Sequence, residues 1–116
     1  MLKKENRLKK NTAFMATYRN NDTVGNHYTV IYRGKAKKDL ATITKAGFVV
    51  SKKYHKRAVK RNHAKRLFRE AYRLLLKENK IGKSQQYMSL VFVIKQDCLE
   101  LTFDKCYEML FKLLNL

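Results

Sequence analysis

Residues 51–73 read SKKYHKRAVKRNHAKRLFREAYR, and the period inside that stretch decides what the rest of the chain is built around. Ala64, Leu67, Phe68 and Ala71, continued by Leu75, recur every three or four positions from about Ala58 onward, which predicts a helix with one apolar stripe. Asn62, Lys65, Arg66, Arg69 and Arg73 fall on the opposite face. One side of this helix packs and the other meets a partner. The stretch carries ten Lys or Arg against a single acid, Glu70, for +9 in 23 residues, half of the chain's net charge of +18. A helix face that merely keeps a protein dissolved mixes its signs, because opposite charges one turn apart support the helix. This one does not.

The charge outside the stretch points the same way. Residues 1–75 hold 21 basic and 4 acidic side chains, whereas residues 76–116 hold 6 and 5. The binding surface therefore belongs to the first two thirds. With 27 Lys and Arg against 9 Asp and Glu, and a pI near 10.1, the molecule attracts polyanions at any cellular pH, which makes nucleic acid the expected partner. The 45% hydrophobic content, with 13 aromatic residues in 116, predicts a folded chain with one core, a single RNA-binding domain over residues 1–116. No apolar run approaches the roughly 20 residues of a membrane-spanning helix, and MLKKENRLKK lacks the apolar stretch of a secretion signal. A cytoplasmic protein without a membrane partner is expected. Cys98 and Cys106 read as reduced structural thiols, with no neighbouring Cys or His at metal-finger spacing.

Working outward, Asn11-Thr12 precedes a short amphipathic helix, Ala13 to Arg19, that sets Phe14 and Tyr18 on one face. Asn20, Asn21, Asp22 and Gly25 read as a loop. His27 to Arg33 is rich in β-branched and aromatic residues and predicts a strand, with Tyr28, Val30 and Tyr32 on one side. Gly34 to Asp39 reads as a turn, and Ala41 to Ser51 as one strand, with Gly47 a candidate break. After the basic helix and a polar segment around Gly82, the continuous apolar run Met88 to Ile94 suits a strand buried on both faces. Thr102 is placed to cap a last helix burying Phe103, Cys106, Tyr107, Leu110, Leu113 and Leu114. The order is α-β-β-α-β-α with room for one more short strand, and helices packed on a small sheet make an α+β or α/β sandwich.

The chemistry motifs are mostly absences. There is no Gly-rich phosphate loop, no HExxH and no GxSxG. The basic part offers only Glu5, Asp22, Asp39 and Glu70 as carboxylates, too scattered for a metal-dependent nuclease, and His27, His55 and His63 lack convergent partners. No catalytic and no metal-ligating residue is assigned. Arg66, Arg69 and Arg73 align forked guanidinium donors, with Lys65 as a point charge, in a row suited to a sugar-phosphate backbone. Phe14, Tyr18 and Tyr32 are either core or a surface on which bases stack.

Arg61-Asn62-x-x-Lys65-Arg66-x-x-Arg69-Glu70, preceded by Ser51-Lys52-Lys53, resembles the signature of the protein subunit of bacterial ribonuclease P. The opening Arg7-Leu8-Lys9-Lys10-Asn11-x-x-Phe14, the strand ending at Tyr32, the Gly47-Phe48-x-Val50 segment and the helix start at Thr102-Phe103 fall in that family's order, so the resemblance spans the chain. It implies the order α-β-β-β-α-β-α, with a small mixed sheet and a left-handed βαβ crossover. It also implies an accessory role, in which an RNA subunit cuts precursor tRNA to release the 5′ leader with magnesium held chiefly by that RNA and none bound by the protein alone. The matching positions Lys52, Lys53, Arg61, Asn62, Lys65, Arg66, Arg69 and Arg73 would face the catalytic RNA, and Phe14, Tyr18 and Tyr32 the leader. Many members carry a small residue where this chain has His55. The rival readings of the same size and charge are a ribosomal protein or RNA chaperone, and a stand-alone nuclease.

Overall fold

The computed structural model describes residues 3–26, 28–50, 57–95 and 102–115. In chain order its elements are a helix Asn11–Arg19 (α1), strands Asp22–Gly25 (β1), Thr29–Arg33 (β2) and Lys45–Val50 (β3), the long helix Ala58–Lys77 (α2), strand Ser89–Ile94 (β4) and helix Phe103–Leu114 (α3), with short 3-10 turns at Lys4–Asn6 and Ser84–Gln86. The four strands form one mixed sheet in the order β1-β2-β4-β3. β1 with β2 and β2 with β4 run antiparallel, whereas β3 and β4 are parallel and are joined through α2. This is the seven-element α+β order that the resemblance implies.

Alternation along the strands sorts side chains to two faces. Ile31, Ala46, Val50, Leu90, Phe92 and Ile94 point to one face, where they form a continuous cluster with Ala64, Phe68, Tyr72 and Leu75 of α2 and Cys106, Leu110 and Leu113 of α3. Phe48 joins this cluster, stacked on Phe92 with ring centroids 4.8 Å apart. Leu90, Val91 and Phe92 are all fully buried, because β4 is central and covered on both sides, as its unbroken apolar run predicts. Tyr72, on the edge of the α2 stripe, is completely buried; its hydroxyl accepts a 2.8 Å hydrogen bond from Gln85 Nε2, and burial raises its pKa to about 12.

Five sequence expectations need correction. The segment around Asp22 is a strand, not a loop: Asn21 turns the chain with a φ of 53°, and Asp22, Thr23, Val24 and Gly25 then pair with Arg33, Tyr32, Ile31 and Val30. Turn-forming residues concealed this strand, which is held by its partner; Arg33 donates to Asp22 Oδ1 from Nε at 3.0 Å and from Nη2 at 2.5 Å. β2 begins at Thr29, since Asn26 Oδ1 accepts from the Tyr28 and Thr29 amides in a tight turn. β3 begins only at Lys45, because Asp39 accepts from the Ala41 amide in a turn and the Thr44 hydroxyl donates to the Tyr87 carbonyl at 2.7 Å. Gly47 does not break the strand and pairs with Val91. In α3 Met109 takes a buried place, while Phe103 and Tyr107 are only half-buried.

Candidate nucleic-acid interface

The buried stripe of α2 fixes its opposite face toward solvent, so the sequence's division of that helix is realised. Asn62 and Arg66 are exposed, and Arg61, Lys65, Arg69 and Arg73 are half-buried along their stems. Arg73 is turned back along the helix, donating to Glu70 Oε1 from Nε at 3.1 Å and from Nη2 at 2.5 Å. Those hydrogen bonds hold the Glu70 carboxyl below its ordinary pKa. Arg69 Nε donates to the Lys65 carbonyl at 3.4 Å. Partial burial, and after it the like charges of Arg7 and Arg66, keep the Arg69 guanidinium below its usual pKa. Lys52 and Lys53, like His55, lie outside the described residues.

On the sheet face away from α2, register explains where the aromatic residues go. Tyr32, Val91 and Gly47 form one cross-strand row over β2, β4 and β3, and Val30, Val93 and Val49 form the next. α1 lies along the first row. Its Thr17 is buried, donating to the Ala13 carbonyl at 2.8 Å and sharing a 2.6 Å hydrogen bond with the Ser89 hydroxyl. That bond orients the helix: Tyr18 meets Tyr32 edge-on with centroids 4.9 Å apart, and one turn away Phe14 lies on Gly47. A Cβ on Gly47 would stand 2.5 Å from Phe14 Cε1 and Cζ, so only glycine lets the ring come down onto the strand. The second row, Val30, Val93 and Val49, is only half-buried. It forms an apolar floor beside the aromatic line that the strand patterns alone did not reveal. Burial, followed by the neighbouring Tyr32, raises the pKa of the Tyr18 hydroxyl.

The two surfaces meet. A cleft of about 230 Å³ is lined by Phe14 and Gly47 together with Arg7, Asn62, Lys65 and Arg69. Among the described residues that line it there is no Asp or Glu. Sequence reasoning assigned the cationic and the aromatic residues to two different RNAs and gave Arg7 no role. Arg7 belongs to no periodic element, and its signals were the basic opening of the chain and its place in the Arg7-Leu8 opening that resembles the family's. Among the described residues no three His, Cys, Asp or Glu side chains converge as a metal site would require. No described helix is long and apolar enough to cross a membrane.

The model of the family described as Ribonuclease P matches residues 2–116. The chain belongs to the ribonuclease P protein family. The ribonuclease P protein component of Clostridioides difficile (strain 630) is 36% identical over 108 residues, covering 90% of this chain and 88% of that protein. That of Caldanaerobacter subterraneus subsp. tengcongensis is 35% identical over 115 residues, covering 99% and 91%. Among solved structures, the RNase P protein of Staphylococcus aureus superposes with a TM-score of 0.76 at 27% identity over 96% of this chain and 94% of that one. The Thermotoga maritima RNase P protein gives 0.74 at 25% identity over 94% of each. Membership fits the order of elements and the basic α2 together.

Proposed function

We propose that this ribonuclease P component binds the catalytic RNA subunit through the outer face of α2, with Arg61, Asn62, Lys65, Arg66 and Arg69 as the principal contacts. The groove of Phe14, Tyr18 and Tyr32 receives the single-stranded 5′ leader of precursor tRNA. The RNA subunit cuts the precursor, using magnesium that the RNA holds; among the described residues the carboxylates do not converge as a magnesium site would require, so no step is assigned to a protein-bound ion. The protein neutralises phosphates and positions the leader. One observation supports this reading: Phe14, at one end of the aromatic line, lines the same cleft as Asn62, Lys65 and Arg69 of the α2 face, so one protein can touch two RNA strands side by side. Guanidinium forks suit phosphates, and rings over an apolar floor hold bases with little regard to sequence.

The test is to incubate the protein with precursor tRNA and magnesium, with and without the catalytic RNA. Cleavage at modest magnesium only when protein and RNA are both present is the expected result. Cleavage by protein alone would reveal a stand-alone nuclease, and none in either mixture would leave an RNA chaperone or ribosomal protein.

A further inference from the structure

We propose that the open edge of the sheet at β1, with the pocket beneath it, takes the carboxyl-terminal residues of an acidic partner polypeptide as an added strand. The last side chain enters the pocket and the terminal carboxylate meets Arg33 and Lys83. Neither residue belongs to the RNA surfaces proposed above, and the inference does not rest on them.

The two edges of the sheet differ. The outer edge of β3 is covered by the segment before α1, where Arg7 bridges Ala46 and the Leu8 amide donates to the Ala46 carbonyl at 2.9 Å. β1 pairs with β2 alone, and among the described residues no strand lies beyond it. The Asn26 amide donates to the Thr29 carbonyl at 2.9 Å, and antiparallel pairs alternate from there. Val24 and Asp22 therefore turn their backbone groups to β2, while Thr23 and Gly25 turn theirs outward. Both are exposed, and exposure of a glycine is exposure of the backbone itself. Edge strands are commonly guarded by lysine or proline, and β1 carries neither. Such an edge is a template for a further strand.

The pocket specifies what is added. Val24 and its cross-strand partner Ile31 line it, with Leu90 of β4 and Leu113 and Leu114 of α3 completing an apolar floor. Its volume of about 70 Å³ is under half of the roughly 150 Å³ that holds benzene, so a short aliphatic side chain fits and an aromatic ring does not. A residue opposite Val24 on an added strand points to the same face and enters beside it. The rim is cationic: Arg33 and Lys83 line the pocket, and no Asp or Glu is among the described lining residues. Arg33 commits Nε and Nη2 to Asp22 and lies 5.1 Å from the Tyr87 ring centroid, which fixes the guanidinium and leaves Nη1 without a partner among the described residues. Lys83 is exposed and forms no ion pair among them. Two cations above a small apolar cavity suit an aliphatic residue that carries its own carboxylate, as the last residue of a chain does. A strand antiparallel to β1 ends beside Asp22, where Arg33 stands. A second copy of this chain would bring another +18 to the edge, so like-charge repulsion selects an acidic partner instead.

Fluorescence anisotropy of the full-length protein, alone and assembled with the catalytic RNA, tests this with a labelled peptide that ends in Glu-Thr-Glu-Leu and a free carboxylate. Binding is expected in both states. Amidating the carboxylate and Lys83→Gln should each weaken it by about tenfold, as for loss of a charged hydrogen bond. Two further peptides, N-methylated on one or the other set of alternate amides, should differ: one loses binding and the other keeps it, because an added strand turns every second amide to its neighbour. Thr23→Pro removes an outward amide and no bond to β2, so it should abolish peptide binding while the melting temperature and catalytic-RNA affinity hold. Lys83→Gln and the modified peptides decide the matter even where that proline unfolds β1. Lys45→Gln, on β3 at the far side of the sheet, should leave peptide binding unchanged. Equal losses in Lys45→Gln and Lys83→Gln would mean general attraction of an anion to a basic protein. N-acetyl-leucine binding as tightly as the peptide would mean a small-molecule pocket without strand addition. Either result overturns the inference, as do binding indifferent to amidation, no binding at millimolar peptide, and self-association of the protein that displaces the peptide.

Discussion

Gly47 is the residue on which the aromatic groove depends, because it lets the Phe14 ring rest on β3. Gly47→Ala places a methyl 2.5 Å from that ring and should cost about 1–3 kcal/mol of stability, the usual range for overpacking. Adding Phe14→Ala to it should cost less than the sum of the two changes, since the clash is removed with the ring. Denaturant titration of the four proteins measures this coupling, and strict additivity would place the ring elsewhere. Cys106 makes a second prediction. It is fully buried in α3 and burial lifts its pKa to about 12, so the reactive thiolate is scarce at neutral pH. Iodoacetamide should leave Cys106 unmodified in the native protein and label it once denaturant opens the core, as peptide mass mapping would show.

Among the elements, α2 was the most legible, and its boundary near Ala58 and its two faces emerge in the structure as its periodicity predicts. A 20-residue helix repeats its pattern over several turns, so local signal accumulates. If Arg66 and Arg69 meet phosphates, changing both to Ala should weaken catalytic-RNA binding and flatten its log-log salt dependence by about 0.7–0.9 per phosphate lost, while the melting temperature stays put. Glu70→Gln should act in the opposite sense. The Glu70 carboxylate, held ionised by Arg73, keeps that guanidinium engaged within the helix. Its removal frees Arg73 for RNA and should tighten binding. Because the folded-state pKa of Glu70 is depressed, the stabilisation from this pair is present above the ordinary carboxylate pKa and fades as pH falls through the folded value; being at the surface, it is small. β1 was invisible by the same logic, since four residues of turn-like composition carry no pattern of their own.

Across the whole molecule, the groove is the product of three strands and a helix placed together. Tyr32, Val91 and Gly47 share a row only because β2, β4 and β3 are neighbours in that register. Replacing Phe14 and Tyr32 with Ala should reduce affinity for precursor bearing a leader of several nucleotides by roughly 1–3 kcal/mol per lost stack, with little change for mature tRNA. Thermal melting is the control, because truncating an aromatic of the core costs about 3–5 kcal/mol. Preference for precursor that survives the double change, or a collapse in stability, would mark the rings as core and move the leader site elsewhere.

The sequence by itself determined the class of partner, the split faces of α2, the buried central strand, the capped last helix and, through the RNxxKRxxRE pattern, the family. These are properties of charge count and local period, and they survive whatever the chain does elsewhere. Only the tertiary structure decided that β1 exists, that Arg73 is engaged with Glu70, and that Arg7, Phe14 and Arg69 line one cleft despite lying in three separate parts of the chain. Each depends on a partner distant in sequence: a strand borrowed from β2's hydrogen bonds, a glycine on β3 beneath a ring on α1, and an arginine pinned by a bridge to Ala46. Local composition cannot encode such meetings, because the free energy that fixes them comes from burial and pairing that exist only once the sheet has formed.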